Sequence, residues 1–261
     1  MSVCPRTCLW TAHAMAAAGD RTLDLFGGPK TPWNDLRWTD ADDRVRGGRS
    51  FSLFIGEGGP IRFVTFSGYL DTAALAAPDG KTAAFASHRT IDGYQPPDLS
   101  GYDALVLDVP RSDGKTYTLV LKDVVAAKRL DGRETSTLSW EHDFHCPGHQ
   151  GSGRVVLRFS DFKPFYRGKR VPNAGELDRR KIQRIAIMMR SFFGEQEGDF
   201  ALILLSITAY RYRPKSTTGP LGLSSEGGVL TEKGGQQDIK GRRTRFLACL
   251  VPGWLRKRKQ K

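Results

Sequence analysis

The 261-residue chain is 39% apolar and 26% charged, enough for a sizeable core and too balanced for a disordered or membrane-spanning class. Its formal charge of +12 is unevenly spread: residues 215–261 hold 11 Lys/Arg against 3 acids, and the preceding residues hold 29 against 25. Basicity is thus mainly a property of the tail, and the first 214 residues show no basic patch interleaved with aromatics, so nucleic acid is not the expected partner of the folded domain.

The composition favours a turn-rich, mainly β chain, with 29 Gly and 14 Pro and few windows of sustained 3.6-residue periodicity. Four cysteines, Cys4, Cys8, Cys146 and Cys249, are too scattered for a disulfide scaffold and point to a reducing compartment. No window is long and apolar enough to span a bilayer as a helix. Residues 1–20 read as a disordered or weakly transit-like leader, with Arg6, no acid before Asp20 and an alanine-rich patch.

The first element expected inside the domain is the short apolar run Leu23–Phe26, closed by Gly27-Gly28. A dense loop follows: Asp42-Asp43-Arg44-Val45-Arg46-Gly47-Gly48-Arg49-Ser50. Glycines there permit a tight turn, and carboxylates accept freed amide protons or guanidinium forks. Asp40, Asp42 and Asp43 also have the oxygen chemistry of a hard-cation site, but Arg44, Arg46 and Arg49 favour ion pairing within the loop. The alternating run Phe51–Ile55 and the segment 61–71 should form a hairpin, with an alanine-rich strand at 83–90 after it. His88 and Arg89 fall on its opposite faces.

Strands are expected at 104–109 and 117–122, joined as a hairpin through Asp113-Gly114. Residues 124–136 read as a helical turn or loop. A strand at 138–144 carries His142 and is followed by His145, Cys146 and His149; these nitrogen and sulfur donors suit zinc only if the chain bends at Pro147-Gly148. Further strands are expected at 154–159 and over Ile182–Met189, and the run Phe200–Tyr210 reads as one central strand. The β domain therefore spans 21–213. A flexible linker over 214–241 leads to a basic amphipathic tail at 242–261, whose segment 242–259 could lie on an anionic membrane.

Catalytic signatures are missing: the chain has no phosphate-binding Gly-Lys-Ser/Thr loop, no dinucleotide fingerprint, no Gly-x-Ser-x-Gly elbow and no His-Glu-x-x-His. A paired-carboxylate hydrolase would need Asp71 or Glu141 as a second acid.

Ordered blocks carry a family resemblance. The loop Asp42–Ser50, then Phe66–Asp71, Ala84–Thr90 and Asp98–Tyr102, followed by Trp140, Phe159-x-Asp161-Phe162, Arg167-Gly168 and Gly198-x-Phe200-x-Leu202, resemble the complex I intermediate-associated protein 30 family in a fungal-looking form. The resemblance covers roughly residues 23–212. It implies an all-β, jelly-roll β-sandwich of the galactose-binding-domain-like kind, with no cofactor. It also implies a non-catalytic assembly factor or chaperone for mitochondrial respiratory complex I, whose partners are complex I subunits or other assembly factors. A mitochondrial location is expected on the same ground, with a cytoplasmic one as the alternative.

Asp42, Asp43, Arg44, Arg46, Gly47, Gly48 and Ser50 are the expected structural signature. Trp38, His88, Arg89, Trp140, Phe165, Tyr166 and Arg167 are the candidate partner or ligand surface. Two other classes stay open: a carbohydrate or small-ligand module, which needs a groove lined by Trp38, Trp140, Phe165 and Tyr166, and an enzyme with a convergent acid/base pair in a cleft.

Overall fold

The computed structural model describes residues 21–57, 62–75, 83–130, 134–146 and 153–212. The leader, linker and tail expected from sequence lie outside them, as does His149.

The described residues form fifteen strands: β1 (Arg21–Phe26), β2 (Trp38–Asp40), β3 (Phe51–Glu57), β4 (Phe63–Leu70), β5 (Phe85–Thr90), β6 (Ala104–Val109), β7 (Arg111–Ser112), β8 (Thr116–Lys122), β9 (Ser139–His145), β10 (Gly153–Arg158), β11 (Lys163–Tyr166), β12 (Lys169–Arg170), β13 (Arg184–Arg190), β14 (Gly198–Leu204) and β15 (Ser206–Arg211). One layer is the sheet β12-β11-β9-β8-β13-β5-β2. The other is built from β1-β15-β6-β10 and β3-β4-β14-β7. All pairings of named strands are antiparallel. The architecture is the expected all-β sandwich of two antiparallel layers.

The second layer divides at one point, and the cause is local. Leu202↔Ser112 and Ile203↔Arg111 on one side and Ser206↔Asp108 on the other keep a common register. Pro110 falls in the gap and has no amide to give to the ladder. Leu204 stands opposite it, and the carbonyl of the next residue, Leu205, accepts the Trp33 indole N–H at 2.8 Å. Gly27, at φ +79, fits against the same carbonyl, and a Cβ there would stand 1.9 Å from its oxygen. The run Phe200–Tyr210 is accordingly two strands, β14 and β15, and not one.

The hairpin expected between β6 and β8 is not formed. β6 pairs with β10 and β15, and β8 pairs with β9 and β13 in the opposite layer. Gly114, at φ +82, makes the anticipated turn, but the connection crosses the sandwich. Both strands are apolar enough to line the core from opposite sides. Tyr117, Leu119 and Leu121 of β8 and Ile185, Ile187 and Met189 of β13 are fully buried, as are Leu105, Leu107, Phe66, Leu202 and Ile207 of the other layer. Each such side chain contributes about 1.5–3 kcal/mol through removal from water. The described part of 124–136 is irregular, with no helix.

Candidate functional site

The acidic loop is a buried clamp. Asp42 is extended, Asp43–Arg46 make one 3-10 turn, and Gly47 closes it in the left-handed region at φ 90. Asp42 accepts from the Ser52 amide (3.1 Å), the Ser52 hydroxyl (2.7 Å), the Ser87 amide (2.7 Å) and the Arg44 guanidinium (2.9 Å). Asp43 accepts from the Ser50 amide (3.0 Å), the Ser50 hydroxyl (2.7 Å) and the Phe85 amide (3.1 Å). Ser50 and Ser52 belong to the edge strand β3 and the residue just before it, whereas Phe85 and Ser87 belong to β5 in the facing layer. Two adjacent carboxylates thus stitch the layers together and cap edge amides that would otherwise lack partners.

Arg44 also pairs with Asp40, and its pKa is raised, chiefly by its hydrogen bond to Asp42. Arg46 donates to the Ala83 carbonyl, and its guanidinium lies 4.9 Å from the centre of the Phe85 ring. Gly48 is required for closeness: a Cβ there would lie 2.1 Å from an Asp43 carboxylate oxygen. The carboxylates are saturated by donors, and among the described residues no group of three His, Cys, Asp or Glu is arranged to hold a metal ion. Asp40 and Asp42 pair with Arg44 within the loop, the role its arginines favoured over a cation site.

His88 joins the clamp from β5, with its Nδ1 2.9 Å from the Ser52 hydroxyl and its ring stacked 5.6 Å from that of Phe54. Burial lowers its pKa against the opposing pull of Asp42 and Asp40. An acid, a hydroxyl and an imidazole do line up here, but the hydroxyl sits in the middle. Ser52 is buried and shared among Asp42, the Ser87 carbonyl and His88, so no accessible nucleophile faces a base.

Several expected surface residues prove to be internal. Trp38 packs its ring 4.6 Å from Phe54, because the edge strand β2 turns it towards β3. Trp140 points inward from β9, beside Phe144 in the core. His88 is buried as described. Each was expected at the surface because a tryptophan or histidine in an alternating strand does not reveal which parity faces inward. Arg89 lies in an ion-pair ring with Asp92 and Glu134. Phe165 is half-buried under the Arg190 guanidinium. Only Tyr166 and Arg167, at the β11–β12 turn, are exposed. The aromatic groove required by the carbohydrate reading is therefore not formed by the residues named for it.

What is exposed instead is the outer face of β3, β4 and β14. Phe51, Leu53, Ile55 and Tyr69 retain 43, 48, 47 and 42% of their surface in water. The register sets Phe51 beside Tyr69, Leu53 beside Ser67 and Ile55 beside Thr65, with Ala201 and Ile203 across the next pairing. At the β3 edge a depression lined by Asp40, Arg44, His88 and the run Phe51–Ile55 joins this face to the clamp. A clustered apolar face with a charged rim has the character of a protein-interaction surface. A second apolar feature, Phe193 in the turn after β13, is exposed and held with Phe192 and Gly194 at positive φ, a strained arrangement that its sequence does not announce.

The chain is similar to several known proteins. The family model described as Complex I intermediate-associated protein 30 matches residues 26–204. An uncharacterized protein of Schizosaccharomyces pombe is 40% identical over 191 residues, covering 72% of this chain and 83% of its own. Among solved structures, a family 11 carbohydrate-binding module of a Clostridium thermocellum cellulosomal cellulase aligns with 74% of this chain and 95% of its own at 17% identity and a TM-score of 0.45. The module in complex with a mixed-linked tetrasaccharide aligns at 18% identity and a TM-score of 0.42, over 74% of this chain and 96% of its own. The chain belongs to the Complex I intermediate-associated protein 30 family, and with it takes a non-catalytic, protein-interaction role.

Proposed function

We propose that this protein is an assembly factor for mitochondrial respiratory complex I, holding subunits or other assembly factors through protein contacts while the complex is built. The observation that carries the reading is the family match over residues 26–204. The apolar face of β3, β4 and β14 supports it, since a binding protein without a catalytic constellation needs such a surface. The basic segment 242–259 adds attraction to an anionic membrane surface, where complex I subunits reside.

A deletion strain carrying a tagged copy under control tests the proposal. Native gels should show loss of mature complex I and accumulation of partial assemblies on depletion, with the tagged protein in the mitochondrial fraction. Normal complex I together with a cytosolic protein would overturn it.

A further inference from the structure

A cleft of about 490 Å³ opens on the outer side of the seven-stranded layer, and among its described lining residues Lys122, Lys128 and Arg184 outnumber Asp92 and Glu134. Asp92 and Glu134 are each engaged by both Arg89 and Arg184, forming a closed ring of alternating charge. The second oxygen of Asp92 takes Lys128 at 3.3 Å. Both carboxylates are thereby committed.

Lys122 stands beside this ring, as the register partner of Arg184, and faces the cleft. Its ammonium donates to the Thr137 hydroxyl at 3.2 Å and has no carboxylate within ion-pair distance among the described residues. Burial, and then the neighbouring Arg184, lower its pKa, against the opposing pull of Glu134 and Glu141. A half-buried ammonium next to two guanidiniums is costly unless something negative completes it.

The remaining lining suits an organic anion. Val125 donates its amide to Gln183 Oε1 at 3.0 Å, which fixes the side-chain amide and turns its NH2 group to the other side as a donor. Val125, Ala126 and Ala127 supply an apolar strip. An ammonium and an amide donor beside an apolar wall recognise a compact charged headgroup on a small carbon body.

We propose that this cleft binds a small organic anion, a phosphate ester or a carboxylate, with Lys122 as its charge partner and Gln183 as a hydrogen-bond donor. The site is independent of the β3 face, which belongs to the other layer.

The test is titration of the full chain with glycerol 3-phosphate and with succinate, read by calorimetry and thermal unfolding, with sodium chloride at matched ionic strength as the blank. Wild type should show saturable binding and a raised unfolding midpoint with at least one of the two, and the probe that responds identifies the headgroup. Lys122→Met should weaken binding at least tenfold while leaving the anion-free midpoint unchanged or higher, and Lys122→Arg should retain binding. Gln183→Leu should also weaken binding, so the proposal stays testable if Lys122→Met does not fold. No saturable response from wild type to either anion, or equal affinity in Lys122→Met, or in Gln183→Leu where that variant must stand in for it, would overturn it.

Discussion

The two sides of β3 depart from the usual rule for a sandwich strand. Ser52 in the strand and Ser50 just before it point inward beside the core residue Phe54, and Phe51, Leu53 and Ile55 point to water. On the inner side, polarity is made stable by Asp42 and Asp43, which accept from the amides and hydroxyls of Ser50 and Ser52 and from the Phe85 and Ser87 amides of β5. On the outer side, apolar surface is left with nothing of this chain's described residues to cover it. The contrast separates two tasks within one strand: the polar side holds the layers together, and the apolar side is available to a partner.

That separation can be broken at graded cost. Asp43→Ala leaves the Ser50 and Phe85 amides buried without an acceptor, and should destabilise the domain by roughly 3–5 kcal/mol, lowering the midpoint by on the order of 10 °C. Asp40→Asn, half exposed, should move it little. A comparable loss from both would mean that the clamp is not the buried pair.

The two glycines should differ although they are adjacent. Gly48→Ala forces a Cβ into the Asp43 carboxylate, which cannot yield without releasing its amides, and should cost about 2–3 kcal/mol. Gly47→Ala meets open space and suffers only from its φ of +90, a cost of about 1 kcal/mol. Thermal unfolding of the pair, with the reverse order as the contradicting result, isolates contact from conformation.

His88 gives the polar side a pH dependence. Its folded pKa is depressed, so the unfolded chain binds the extra proton first as pH falls below about 6.5. Stability is fully present above that value and declines below it, towards the folded pKa. His88→Gln should remove this part of the slope, and an unchanged profile between wild type and variant would show that the imidazole does not contribute. On the outer side, Leu53→Ser with Ile55→Ser should change stability by only about 0.5 kcal/mol, because both side chains are already half in water.

Much of the sandwich was legible in the sequence. The alternation at 51–55 and 61–71 gave the β3–β4 hairpin, and the acid and glycine content of the loop at 42–50 pointed to a clamp closed by Gly47 and Gly48. What stayed hidden was parity. A period of two marks a strand without saying which side is inward, so Trp38 and Trp140 were expected outside, and Leu53 and Ile55 gave no sign of being exposed. Serines facing inward make sense only once their carboxylate partners, distant in space until the chain folds, are in place. The crossing of β6 to β8 was equally invisible, since Asp113-Gly114 specifies a turn and not the layer that follows it. The charge ring of Arg89, Asp92, Glu134 and Arg184 joins three separate segments, and no local spacing announces it.

The most direct test expresses the Leu53→Ser, Ile55→Ser double variant in a strain lacking the wild-type protein and follows complex I by native gel, with the unfolding midpoint of the purified variant measured beside it. The account predicts a folded protein with an unchanged midpoint that fails to restore mature complex I and no longer co-purifies with partial assemblies. Full restoration by the folded variant would contradict it.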